Sequence, residues 1–211
     1  MEQYKEIRES LIGGNEAGVR ELVTKLLQQG VAPSTIISEG LIAGMVEVGK
    51  RFRDGDMFIP EVMLCARIMS TNMATLEPLL VGRQLPSAGK VVLGTVEGDV
   101  HNIGKDLVSM MLRSAGFAIV DLGVQVPSER FVQAVAEHKP EALGMSALLT
   151  TTMPRMKEVI ELLQKRGLRD HVQVIIGGAP VTQEFADEIG ANGYAPDAGS
   201  AVDRVKELVG I

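Results

Sequence analysis

The sequence predicts an all-α four-helix bundle followed by an α/β domain with a Rossmann-like (flavodoxin-like) parallel sheet. Two observations in the 211 residues predict this division. Over residues 1–84, apolar side chains recur at three- and four-residue spacing, which is typical of amphipathic helices. After a polar, turn-rich linker at residues 85–89, short apolar runs alternate with helical segments over residues 90–211, as in proteins with parallel sheets.

The helical half contains four segments with this spacing. They run from Glu2 to Leu11, Glu16 to Gln28, Ser34 to Arg53 and Pro60 to Leu80. Glycines or Asp-Gly-Asp separate them, and Pro60 suits the first turn of a helix. Four helices with short connections predict a small bundle.

The second half contains five apolar runs that read as buried strands. The strands are Val91 to Val96, Ala118 to Leu122, Ala142 to Ser146, Val172 to Ile176 and a short one near Tyr194. The helices are Lys105 to Ala115, Ser128 to His138, Met153 to Arg166, Val181 to Ile189 and Ala198 to Leu208. Runs that are apolar on both faces predict a sheet covered by helices on both sides.

Composition restricts the class of protein. With 45% hydrophobic residues the chain can bury a core, and a net charge of −6 argues against nucleic acid as a partner. Cys65 is the single cysteine, so an intrachain disulfide is impossible and a reducing compartment is expected. No apolar run is long enough to span a membrane and the N-terminus lacks a signal-peptide pattern, so we expect a cytoplasmic protein.

The most informative motif is Asp99-Val-His101-Asn-Ile-Gly104, directly after the first predicted strand. A ligating imidazole usually donates its other N–H to a carboxylate, and Asp99 and His101 are spaced to form such a pair. A solvated surface loop would explain these six residues equally well. Two further segments, Ser146-Ala-Leu148 and Gly177-Gly178, follow later strands, and strand ends converge on one crevice in this fold class.

In this order and spacing, the three segments resemble the signature of base-off, His-on cobalamin-binding domains. The resemblance covers residues 90–211 and implies that His101 is the lower axial ligand of cobalt, with Asp99 accepting its other ring hydrogen. The residues that would surround the nucleotide tail of the cofactor are Gly104, Ser146, Leu148, Gly177 and Gly178. Thr150 would add a hydroxyl contact, and Thr152 stands where methionine synthase has the serine of an Asp–His–hydroxyl relay.

The helical half resembles the cap of methionine synthase and of corrinoid proteins of one-carbon metabolism, through Val48 to Phe52 and Met57 to Pro60. By this resemblance Phe52 and Ile59 would pack over the upper face of the corrin, although ordinary bundle packing would explain them too. The methionines of the fourth helix are expected in the core. Lys105 and Asp106, at the start of the next helix, are expected to be solvated.

The resemblance implies a non-catalytic subunit that carries a methyl group on the cobalt of cobalamin (methylcobalamin and cob(I)alamin) or of a related corrinoid. Its partners would be a substrate:corrinoid methyltransferase, a second methyltransferase to tetrahydrofolate or coenzyme M, and a corrinoid reductive activase. The donor stays open among methoxyaromatics, in O-demethylase systems, and methanol, methylamines and betaines. No nucleic acid, membrane or catalytic residue is implied.

Three alternatives stay open at this point. One is the small cobalamin-binding subunit of an adenosylcobalamin mutase, although such mutases place a barrel rather than a helical cap over the cofactor. Another is a cobalamin-dependent sensor, which would need an output domain. The third is a flavodoxin-like domain for a different ligand, although a phosphate binder would not place carboxylates after its first strand.

Overall fold

A computed structural model describes residues 2–80 and 88–211. The chain divides into two compact units, a helical unit that contains residues 2–80 and an α/β unit that begins at Ala88. Three residues of the expected linker, 85–87, lie outside the described residues, so the linker at 85–89 stays a prediction. Within the described ranges no helix has the length and apolar character needed to cross a bilayer.

The helical unit contains the four predicted helical segments. Its elements are α1 (Glu2–Ile12), α2 (Glu16–Gln28), α3 (Pro33–Thr35), a π-helix (Ile36–Ile42), α4 (Ala43–Arg53), α5 (Ile59–Leu76) and a 3-10 turn (Glu77–Leu79). The third segment was expected as one regular helix, but its middle is π-helical. The fourth segment was expected to reach Leu80, but α5 ends at Leu76, two residues before Pro78, which lacks the N–H that an α-helix interior needs.

Close packing of α1 on the third segment depends on two glycines. A Cβ on Gly44 would lie 2.8 Å from Cδ2 of Leu11, and one on Gly40 would lie 3.1 Å from Cγ2 of Ile7. Both apolar partners are fully buried. The buried thiol of Cys65 donates to the carbonyl of Leu11 at 3.2 Å, so this cysteine packs as a small core residue, as expected.

The α/β unit alternates strands and helices as predicted. Its elements are β1 (Lys90–Thr95), α6 (Ile103–Ser114), β2 (Ala118–Asp121), α7 (Ser128–His138), β3 (Ala142–Ser146), α8 (Pro154–Lys165), a 3-10 turn (Arg169–His171), β4 (Gln173–Gly177), α9 (Gln183–Ile189), β5 (Gly193–Ala195) and α10 (Ala198–Val209). The five strands are parallel in the order β2-β1-β3-β4-β5. The predicted fold class, a helical bundle followed by a flavodoxin-like sheet, is therefore confirmed.

The two faces of the sheet are packed differently. Alternate residues such as Val92, Leu143 and Val174 belong to a core that includes apolar side chains of α7 and α8. The row next to them, Leu93, Gly144 and Ile175, faces a cleft on the opposite side. Since the order of strands reverses between β1 and β3, the crevice beyond their carboxyl ends is the usual ligand site of this fold.

Candidate functional site

Asp99 is a buried acceptor at the centre of the loop after β1. Its side chain has no exposed surface. Oδ1 accepts from the backbone N–H of His101 at 3.0 Å and lies 2.7 Å from Nδ1 of the same residue. Oδ2 accepts from the backbone N–H of Leu148 at 2.6 Å, from that of Leu149 at 3.3 Å and from Oγ1 of Thr152 at 3.1 Å. One carboxylate thus joins the loop after β1 to the loop after β3.

These hydrogen bonds keep the carboxylate charged. Burial alone raises the pKa of Asp99, but the N–H donors of His101 and Leu148, the imidazole and the Thr152 hydroxyl together lower it to about 2. An ionised Asp99 accepts only, so the imidazole nitrogen that faces it must carry a proton. In the neutral ring the other nitrogen, Nε2, then has the lone pair that a metal ion can accept.

The backbone of His101 is held by hydrogen bonds, whereas its imidazole ring is partly exposed. Its side chain is 47% exposed although Asp99 is buried. The hydroxyl of Thr95, the last residue of β1, donates to the His101 carbonyl at 3.0 Å. Because the backbone and Nδ1 are both held, Nε2 is the ring nitrogen that remains to bind a ligand.

His101 lies at the edge of a cleft of about 490 Å³ in the α/β unit, between the sheet and the helices α6 and α10. Small residues on the strand ends and on both helices line much of it: Gly94, Gly104, Gly144, Ser146, Gly177, Gly178, Ala179, Ala195, Ala198 and Ala201. A Cβ added to Gly104 would meet nothing within 4 Å, so packing within the chain does not explain this glycine. Space beside Gly104 is therefore available to a ligand.

Gly178 has a different reason to be glycine. Its φ is +126°, and a Cβ there would lie 1.9 Å from the carbonyl oxygen of Ala147. Gly177 is tight as well, since its Cβ would lie 2.9 Å from the carbonyl oxygen of Ala195. The glycine pair is thus required by the fold and also lines the cleft.

Most of the predicted site residues of the α/β unit come together. Ser146 and Leu148 line the cleft, and Thr152 is buried and hydrogen-bonded to Asp99. Thr150 is exposed and lies outside the set of described residues that line the cleft. Its predicted hydroxyl contact with the cofactor therefore stays a prediction.

The predicted lid residues belong to the helical unit. Phe52 is half-buried at the end of α4, and Ile59 is 39% exposed at the start of α5. Phe58 is 68% exposed beside it, and Met63 one turn later is 47% exposed. Met63 was expected in the core, and that expectation is wrong. Helical spacing places a side chain on a face but cannot show which face is covered.

Sequence reasoning also missed Lys105. It was expected to be solvated, but it is only 5% exposed, and its Nζ lies 2.6 Å from an oxygen of Asp106 and 2.6 Å from one of Asp121. The signal in the sequence was Asp121, a carboxylate at the end of an apolar strand. Its pairing with a residue of α6 depends on the parallel contact between β1 and β2.

Known family models match both halves of the chain. Two family models match, both described as B12 binding domain, one over residues 89–203 and one over residues 3–77. The dimethylamine corrinoid protein of Methanosarcina barkeri is 46% identical and the match covers 99% of this chain and 98% of that protein. The trimethylamine corrinoid protein of the same organism is 41% identical, and the match covers 97% of this chain and 95% of that protein.

Solved structures give the same result. A cobalamin-binding protein from Desulfitobacterium hafniense DCB-2 superposes with a TM-score of 0.83 at 32% identity, covering 97% of this chain and 98% of that one. A chain of the methanol:cobalamin methyltransferase complex from Methanosarcina barkeri superposes with a TM-score of 0.87 at 32% identity, covering 99% of this chain and 80% of that one. The chain therefore belongs to the corrinoid proteins of methyltransferase systems, and its cofactor is cobalamin or a related corrinoid, as the Asp99 to Gly104 motif predicted.

Proposed function

We propose that this protein carries a methyl group on a corrinoid whose cobalt is bound from below by Nε2 of His101. The observation that supports this is the 2.7 Å contact between Nδ1 of His101 and a fully buried, ionised Asp99. That contact sets the tautomer of the ring and leaves the lone pair of Nε2 available to cobalt, and His101 is among the residues that line the cleft. The bound corrinoid supplies a cobalt centre that accepts and releases the methyl group.

The cleft fits the lower nucleotide tail of the cofactor. Its walls are mostly apolar and are lined by many small residues. Beside Gly104 there is room that no side chain of the described chain fills. Ser146 and Leu148 would contact the heterocyclic base, while Gly177 and Gly178 keep the strand end open. In this proposal Asp99 and Thr152 hold the imidazole and do not touch the cofactor.

The helical unit would cover the opposite face of the corrin. Phe52 and Ile59 are the proposed lid residues, and the exposure of Phe58 and Met63 supports an apolar surface larger than these two side chains. An apolar cover protects a reactive cobalt–carbon bond from water. We retain residues 85–89 as the proposed linker, and Thr150 as a further contact from the loop after β3.

We infer a methylated amine as the methyl donor. The relatives named as dimethylamine and trimethylamine corrinoid proteins align over nearly the whole chain. A chain of the methanol:cobalamin methyltransferase complex superposes over 99% of this chain, so methanol is the second candidate. The partners would be a substrate:corrinoid methyltransferase, a second methyltransferase to coenzyme M or tetrahydrofolate, and a reductive activase.

The first experiment is a visible absorption titration of the purified apoprotein with hydroxocobalamin. We expect stoichiometric binding by the wild type, with a spectrum of imidazole-ligated cobalt. His101→Ala should lose that spectrum, while His171→Ala, which changes an exposed histidine in a 3-10 turn, should keep it. If His101→Ala gave the wild-type spectrum, His101 would not be the ligand.

The donor is tested separately with the reduced holoprotein. Dimethylamine, trimethylamine and methanol are each supplied with the methyltransferase specific for them, and methylation of cobalt is followed by absorption. Methylation only in the amine reactions is expected. Methylation from methanol alone would replace the amine proposal without affecting the ligation of cobalt by His101.

A further inference from the structure

Lys105 is a buried cation beside the proposed cobalt site. Its side chain is only 4% exposed and forms ion pairs of 2.6 Å with Asp106 and with Asp121. Burial alone lowers the pKa of this ammonium, but the two carboxylates more than offset that effect and raise it. A lysine that is removed from water and paired with two carboxylates links the elements that carry them, because breaking either pair would leave a buried charge without its partner.

The two ion pairs extend into a chain of contacts that begins next to His101. Nδ2 of Asn102 donates to Oδ2 of Asp106 at 2.8 Å, and Oδ1 of the same carboxylate receives Lys105. At the other end, Oδ1 of Asp121 accepts from the N–H of Gly123 at 2.9 Å. The start of α6 is thereby tied to the end of β2 and to the loop that follows it.

The loop that bears His101 needs such ties because burial does not hold it. Val100 is 58% exposed and Ile103 is 69% exposed, so the apolar residues on either side of His101 lie outside the core. Asp99 and Thr95 hold the first half of the loop. The contacts from Asn102 to Lys105 hold the second half.

We propose that Lys105 is a positioning residue for His101, which fixes the direction of the imidazole by joining Asp106 on α6 to Asp121 on β2. The proposal rests on ligation of cobalt by His101, as set out above. Outer partners of a metal-binding histidine commonly change metal affinity by about 10–100-fold. Because Lys105 acts through the backbone of the loop, we expect the lower end of that range, about tenfold.

The test is a double-mutant cycle on full-length protein with hydroxocobalamin. Lys105→Met is expected to raise Kd about tenfold in the wild-type background and to have no further effect in the His101→Ala background, because it acts through the histidine. After reduction to cobalt(II), the electron paramagnetic resonance spectrum of Lys105→Met should show a partial loss of coupling to the axial nitrogen. Lys157→Met, at an exposed position on α8, is the matched control.

Two further variants distinguish a loss of positioning from misfolding. Lys105→Arg keeps the positive charge, and a guanidinium can pair with both carboxylates, so it should restore most of the nitrogen coupling. Asp121→Asn breaks one ion pair and should give an intermediate loss; its folding is checked by circular dichroism. Equal losses from Lys105→Met in both backgrounds, or unchanged nitrogen coupling in Lys105→Met and Asp121→Asn, would overturn the proposal. A His101→Ala variant with wild-type coupling would instead overturn the proposed function.

Discussion

Replacement of Asp99 by asparagine should both destabilise the apoprotein and remove the metal-binding lone pair. The buried carboxylate accepts from the backbone N–H and the imidazole of His101 through one oxygen. Through the other it accepts from Leu148, Leu149 and Thr152. An amide has one oxygen, so the orientation that keeps most donors satisfied turns its NH₂ group toward His101. The ring must then accept at Nδ1 and carry its proton on Nε2, where cobalt would bind.

The size of the effect follows from the charge that is lost. The lowering of the Asp99 pKa from 3.8 to about 2 corresponds to about 2 kcal/mol of stabilisation of the folded protein at pH 7. The backbone N–H of His101 would also lose its acceptor, which adds about 1 kcal/mol to the loss of stability. We therefore expect Asp99→Asn to lower the free energy of unfolding by about 2–3 kcal/mol at pH 7.

The stabilisation by Asp99 should weaken as the pH falls. Since the pKa of Asp99 is lower in the folded protein than in the unfolded chain, its stabilisation is present above about pH 4 and is lost as the pH falls toward 2. The unfolding free energies of wild type and Asp99→Asn should therefore converge in acid. Urea unfolding of the apoproteins, followed by circular dichroism between pH 7 and pH 2.5, measures this difference. Asp187→Asn, on the exposed face of α9, is the control.

Two results would refute this reasoning. A difference between wild type and Asp99→Asn that stays constant from pH 7 to pH 2.5 would mean that the charge of Asp99 does not stabilise the fold. Retention of the imidazole-ligated cobalamin spectrum by Asp99→Asn would mean that the carboxylate does not set the tautomer of His101.

Three further substitutions test the surroundings of this pair. Thr152→Val removes the hydroxyl that donates to Asp99 at 3.1 Å and should cost about 1 kcal/mol in urea unfolding. Gly178→Ala should destabilise the protein by at least about 3 kcal/mol, because its Cβ would lie 1.9 Å from the Ala147 carbonyl. Gly104→Ala meets nothing within 4 Å, so it should leave the apoprotein stable but weaken cobalamin binding measured by absorption. A loss of stability as large as that of Gly178→Ala would show that Gly104 is structural.

The sequence was sufficient for the parts of the fold that depend on local periodicity. Alternating apolar runs predicted the strands, and the convergence of strand ends in parallel sheets predicted that His101, Ser146 and Gly177 would meet. Periodicity could not predict the burial of Lys105, because its partner Asp121 lies in another strand and comes near only when β1 and β2 pair. The π-helical segment at residues 36–42 was missed because it is only seven residues long within a longer helical segment, and π-helices are rare.

The apolar residues around His101 explain why the site combines an open tip with a rigid base. Val100, Ile103 and Leu148 are between 42% and 69% exposed, which is unfavourable for three large side chains in one region. A flat macrocycle above His101 would cover such a surface, and each covered side chain would contribute on the order of 1 kcal/mol. The same exposure means that the loop has little apolar packing within the chain, so its shape must come from polar contacts. In the proposed arrangement Asp99 and Lys105 supply these contacts, which would keep the imidazole in position before the cofactor binds and so limit the ordering cost of binding.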